Sequence, residues 1–270
     1  MNVIDRYREG EPVELCEGEL LTPAGLAGDA ARGVLVEHAM EVTVNTVPTM
    51  RVVCTPDHLV DLVVGRLYTE GIVGGGLDDI EDIYVCDQGT RASVLLSRHH
   101  ADFSRKGVET IPSCCTGNRV YNRYFTSDER PAKVKPMPWE AAWVFAAARA
   151  FAEDSPLHKS TTGTHSCYLV LGGTVVVCRE DLGRHNAFDK VVGAALREGI
   201  DLRDALIFSS GRLPVDMVMK AIHAGVPILA TKAVPTDETI RLAREFDLTL
   251  ICQARPDSAV VYNDPLGETR

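Results

Sequence analysis

Two short apolar runs, Cys167–Leu171 and Thr174–Cys178, flank the dipeptide Gly172-Gly173. Glycine tolerates positive φ at both central positions of a tight turn, so this spacing predicts a β-hairpin. A hairpin returns its chain to the end it left. The polar segments on either side, Ser160–His165 and Glu180–Lys190, therefore meet at one end of a sheet. From Asn186 onward Phe188, Val191, Val192 and Ala195 recur at helical spacing, so the second polar segment opens a helix. The free N–H groups and positive dipole end of that helix favour an anion beside Arg184 and His185. The same residue types also cap helices and pair with one another, and the pattern alone leaves both roles open.

Around this hairpin the second half of the chain alternates helix and strand. A helical stripe runs from Trp139 to about Glu153. After the hairpin come a strand at Ala205–Phe208, a helix from Pro214 to Gly225, a strand at Val226–Ala230, a helix from Pro235 and a strand at Leu248–Cys252. Such alternation implies a largely parallel sheet with helices on its faces. The first half reads as a small α+β unit. It has strands over residues 33–54 and 78–97, with a turn at Asn45-Thr46-Val47-Pro48. Between them lies a helix with Thr55 as N-cap, Pro56 at its first position and Gly71 at its end. Residues 1–32 show no sustained period and read as a lead-in, and residues 104–137 read as irregular. The expected organisation is an N-terminal unit over 1–110, a cysteine-bearing loop over 111–138 and an α/β unit over 139–270.

In open α/β sheets ligands sit beyond the carboxyl ends of the strands. The residues expected there are Ser209, Ser210, Gly211 and Arg212 after one strand, Lys232 and Thr236 after the next, and Gln253, Ala254 and Arg255 after the last. They offer small residues for close approach and guanidinium forks for phosphate or a purine edge. The net charge of −10 disfavours non-specific nucleic-acid binding but not a local basic pocket. No run of 18 apolar residues is present, so no membrane span is expected, and the first residues show no secretory pattern. The expected compartment is the cytoplasm, where the eight cysteines remain thiols. None forms a C-x-x-C pair, and no metal site is expected. Cys114-Cys115, in the turn-rich Pro112–Asn118, is the candidate nucleophile, whereas Cys167, Cys178 and Cys252 sit in apolar runs as buried thiols.

The ordered blocks Thr55–Leu62, Tyr68–Ile72, Gly163–Ser166, Glu180–Lys190, Ser210–Arg212, Lys220-Ala221, Gly225–Ile228, Ala233–Thr236 and Leu248–Ile251 resemble the formate dehydrogenase accessory sulfurtransferase family, over roughly residues 35–262. The resemblance implies a sulfur carrier required for formate dehydrogenase activity. Such a protein passes persulfide sulfur from a cysteine desulfurase to a molybdenum or tungsten bis-molybdopterin guanine dinucleotide. It also implies a cytidine-deaminase-like mixed sheet with flanking helices, a homodimer, and a pocket that takes guanine nucleotides as partial mimics of the cofactor. The family's Ser-Cys-Gly-x-Cys-Gly motif falls on Ser113-Cys114 and makes Cys114 the persulfide carrier. In this chain Gly117 stands at the second motif cysteine and Cys115 replaces a glycine. The family's cofactor-binding segment falls on Cys252-Gln253-Ala254-Arg255-Pro256-Asp257, joined by Arg184, His185, Ser210, Gly211, Arg212 and Lys232. The alternative is a non-enzymatic chaperone for the same cofactor. A third reading, a zinc deaminase, is disfavoured by the missing His/Cys-x-Glu and Pro-Cys-x-x-Cys patterns.

Overall fold

Glycine sets the central contact of the molecule, which is a crossing of two helices. In the computed structural model, which describes residues 1–73, 76–97, 109–111, 131–153 and 155–267, these helices lie between two six-stranded sheets. The elements of the first half are β1 (Asn2–Asp5), β2 (Val13–Thr22), β3 (Gly25–Leu35), β4 (His38–Val44), β5 (Val47–Cys54), α1 (Leu59–Thr69), β6 (Ile80–Val85), β7 (Arg91–Leu96) and β8 (Glu109–Ile111). The second half holds α2 (Ala141–Glu153), α3 (Pro156–Thr161), β9 (His165–Leu171), β10 (Thr174–Asp181), α4 (Arg184–Arg197), β11 (Leu206–Ser209), α5 (Val215–His223), β12 (Ile228–Thr231), α6 (Asp237–Glu245), β13 (Thr249–Cys252) and β14 (Val260–Asn263).

The first sheet has the order β1-β6-β7-β4-β5-β8, and α1 covers one of its faces with Leu59, Leu62, Val63 and Leu67. The second has the order β10-β9-β11-β12-β13-β14. Its core runs over both faces. Helices α4, α5 and α6 pack on one side, while Trp139, Val144, Ala147 and Ala148 pack on the other against Tyr168, Phe208 and Ile228. The expected parallel sheet is present as β11, β12 and β13, flanked by antiparallel strands on both sides. The sheet is therefore mixed. The predicted hairpin forms as read, with Gly172 at φ 51° and Gly173 at φ 86°.

Helices α1 and α4 meet backbone to backbone. A Cβ on Gly65 would lie 1.8 Å from the Asp189 carbonyl oxygen, and one on Gly193 would lie 1.9 Å from that of Asp61. Around the crossing sits a buried ionic cluster. Asp189 accepts from Lys220 Nζ at 2.6 and 2.8 Å, from Arg66 Nη1 at 3.1 Å and from Thr69 Oγ1 at 2.7 Å. A second cluster centres on Lys190, whose Nζ lies 2.8 Å from Asp181, 2.6 Å from Asp57 and 2.7 Å from Thr55 Oγ1. Burial opposes the Lys190 charge, but Asp181 and Asp57 outweigh it and hold its pKa above the usual lysine range.

Three expectations need correction. Residues 1–32 are not a shapeless lead-in: β1 joins the first sheet beside β6, and β2 with β3 form a separate two-stranded ribbon. Thr55 does not cap α1. Its hydroxyl serves Asp57, Asp181 and Lys190, and the helix starts after His58, which takes the left-handed conformation at φ 50°. Finally, β14 and the short α3 were absent from the sequence reading. Among the described residues no helix is long and apolar enough to cross a membrane.

Candidate functional site

The antiparallel placement of β9 beside β11 brings its first residue, His165, to the carboxyl ends of the parallel strands. Asp181, the last residue of β10, is the register partner of His165. The two polar segments thus share one end of the sheet, as the hairpin argument required. Asp181 then shapes the entry to α4. Its Oδ1 accepts from Gly183 N and Asn186 Nδ2, both at 2.9 Å, while Oδ2 accepts from Thr55 N at 3.1 Å. Asp181, Asn186, Asp189 and Lys190 are thereby structural, while Arg184 and His185 begin α4, His185 being buried.

The strand exits are tied to one another. Ser166 N donates to Ser210 Oγ at 2.9 Å, and Ser210 N donates to the Ser166 carbonyl at 2.9 Å. Thr231 Oγ1 donates to the Gly211 carbonyl at 2.6 Å, which fixes the first loop to the second. A side chain at Gly211 would be tight: a Cβ would lie 3.1 Å from Arg184 Cβ and 3.1 Å from His165 Nδ1. The third exit turns at Gln253, with φ 55°, and Arg255 Nη1 donates to the Lys232 carbonyl at 2.6 Å. Lys232 Nζ sits 4.4 Å above the Phe151 ring, a cation–π placement that fixes its amine.

These positions concentrate positive charge in an acidic chain. Burial lowers the Lys232 pKa and Arg255 lowers it further. His165 is held below its ordinary value by burial, then by Arg184, His158 and Lys232. His185 is buried and strongly biased to the neutral form by burial, then by Lys220, Arg66 and Arg184. Neither of its ring nitrogens makes a hydrogen bond among the described residues, although Nε2 lies 3.3 Å from Asp216 Oδ2. Arg184 Nε is likewise buried without a hydrogen bond there. The unpaired Arg184 Nε at the start of a 14-residue helix, with Lys232 near both His165 and Arg255, fits a polyanion.

The sequence-predicted residues divide into three groups. Gly211 abuts Arg184 and His165, and Lys232 lies near His165 and Arg255, whereas Ser210 and His185 are buried and Arg212 and Arg255 are exposed. In the last segment Gln253, Arg255, Pro256 and Asp257 are exposed, but Cys252 and Ala254 are not. Cys252 packs in the core with its thiol pushed up to about 12 by burial, and Ala254 N is spent on the Thr231 carbonyl at 2.9 Å. Their side chains cannot touch a ligand in the cleft. Cys114 and Cys115 lie outside the described residues. The sequence reading did not single out Phe151, Thr231 or Asp216. Thr231 ends an apolar strand where a hydroxyl is out of place, which was the available signal. Phe151 and Asp216 sit in helical patterns that read as core and surface. Among the described residues no group of three or more His, Cys, Asp or Glu side chains is arranged to hold a metal.

The sequence profile of the FdhD/NarQ family matches residues 35–266. The protein named sulfur carrier protein FdhD from Listeria monocytogenes serotype 4b is 32% identical over 246 residues, covering 89% of this chain and 93% of its own. The protein of the same name from Bacillus pumilus is 30% identical over 264 residues, covering 96% and 94%. Among solved structures, a candidate formate dehydrogenase accessory protein from Desulfotalea psychrophila superposes with a TM-score of 0.78 at 25% identity, covering 95% of this chain and 99% of that one.

Proposed function

Because the chain belongs to the FdhD/NarQ family, we propose that it is a sulfur carrier for the maturation of formate dehydrogenase. Cys114 receives sulfur from a cysteine desulfurase. Its thiolate attacks the outer sulfur of the donor persulfide, the donor's S–S bond breaks, and the donor leaves as a thiolate. The substrate that accepts this sulfur is the molybdenum or tungsten bis-molybdopterin guanine dinucleotide, carried in the cleft at the strand exits.

The observation that supports this reading is the cluster of cationic and small residues at the strand exits. Four phosphates need several cationic forks, free N–H groups and close backbone approach. Arg184, Lys232 and Arg255, the start of α4 and the side-chain-free Gly211 supply these at one place. His165, beside Gly211 and Arg184, adds a further hydrogen-bonding group. Guanine nucleotides are expected to bind there as partial mimics, and the carrier to act as a homodimer.

The test is incubation with purified desulfurase and cysteine, followed by peptide mass mapping. One added sulfur atom is expected on the peptide holding Cys114. Cys114→Ala should abolish formate dehydrogenase maturation while guanine-nucleotide affinity stays within about twofold, since the nucleotide contacts are elsewhere. Cys115→Ala should cost less. Absence of sulfur on Cys114, with cofactor binding intact, favours the chaperone reading, which draws on Gly117 standing in place of the second motif cysteine.

A further inference from the structure

Among the described residues the ribbon of β2 and β3 pairs with no other strand, and it meets the body at its base. There Val36 N donates to the Pro12 carbonyl at 3.0 Å, and Leu35 packs so closely on Gly163 that a Cβ there would lie 2.7 Å from Leu35 Cδ1. Outward from this base the ribbon exposes large apolar side chains. Leu15 is 77% exposed, Leu21 74% and Leu26 64%. An isolated two-stranded ribbon is marginal in water, and its edges leave unpaired N–H and C=O groups. Its two edges differ. Strand β2 carries Glu14, Glu17 and Glu19, while β3 is built mostly of glycine and alanine, with Asp29 and Arg32 as its charges. The edge of β3 therefore carries fewer of the charges that keep another strand away.

We infer that this ribbon is the docking surface for the enzyme that takes the finished cofactor, through a strand edge or apolar groove rimmed by lysine or arginine on that partner. The inference rests on the sulfur-carrier reading. Three observations support it. Four carboxylates against one guanidinium make the ribbon a complement to a basic surface. A second copy of the chain would set four more carboxylates beside them, and like charges across strands are destabilising. The base of the ribbon rests on Gly163, two residues from His165, so the ribbon is anchored next to the strand-exit residues that the carrier reading assigns to the cargo. The family match starts at residue 35, the last of the ribbon, so this device lies outside the matched segment.

Two variants test it: L15S/L21S/L26S, which keeps the backbone, and E14K/E17K/E19K, which reverses the charge. Affinity is measured against purified apo-formate dehydrogenase and, separately, against the cysteine desulfurase of the same organism, at low and high salt. Sedimentation reports self-association. Each variant should weaken apo-dehydrogenase binding by at least about tenfold, and wild-type binding should fall with salt. Sulfur loading of Cys114 and guanine-nucleotide affinity should not change. Unaltered dehydrogenase affinity in both variants overturns the inference. So does a loss confined to the desulfurase, or a shift from dimer to monomer, which would assign the ribbon to a second copy. If the wild type does not bind apo-dehydrogenase, the docking surface falls as well. Intact sulfur loading in that case leaves the carrier reading standing, whereas failed loading removes both.

Discussion

His165 sits among Arg184, His158 and Lys232, and an anion bound there offsets their push on its pKa. The sign follows from the direction of the shift. In the free protein the pKa is below 6.5, and the bound anion raises it. Binding therefore takes up protons as the pH falls below about 6.5, and affinity for GDP increases in that window. Calorimetry at pH 6 in buffers of differing ionisation enthalpy should show net uptake, removed in His165→Gln. Proton release would sink the assignment. Arg184→Ala and Arg255→Ala should each weaken GDP binding by about 10- to 100-fold, the worth of a charge-assisted hydrogen bond. Unchanged affinity in both would take the two residues out of the pocket. Much of this was legible in the sequence, because basic residues recur at three strand exits of an acidic chain. The structural roles of Asp189 and Lys190 were not. Their partners Arg66, Lys220 and Asp57 lie far away in the chain, and a local pattern cannot show them.

At the level of elements, local chemistry predicted well where local chemistry decides. Gly172-Gly173 made the turn it promised. Thr236 caps α6, its Oγ1 accepting from Thr239 N at 3.2 Å. Thr236→Ala should lower stability by about 1 kcal/mol in urea titration, and Thr236→Ser should restore most of it. The same chemistry misled at Thr55-Pro56. A threonine before a proline reads as a cap, but here the hydroxyl is claimed by Asp181 and Lys190 across the interface, and α1 begins only at Leu59. The ribbon was missed for a related reason. Its strands face water on both sides, so no burial period marks them, and the small residues of β3 read as loop.

Across the whole molecule the crossing of α1 on α4 joins the two sheets. Gly65→Ala places a methyl group within bonding distance of a backbone carbonyl, and relief requires one helix to shift. A loss of about 1–3 kcal/mol or more is expected, read as a lower midpoint of thermal unfolding. A substitution within ±0.5 kcal/mol, the range of ordinary surface changes, would mean that the helices stand further apart than described.

That crossing also decides how the chain can be divided. Cutting it before Trp139 would strand Asp189 and Lys220 without Arg66, and Lys190 without Asp57, in what had been interior. A severed buried ion pair costs about 3–5 kcal/mol, a large share of an ordinary domain's entire margin. The C-terminal α/β segment is thus not a portable module. Expressed alone it should aggregate, and the two halves have to be inherited, engineered and lost together.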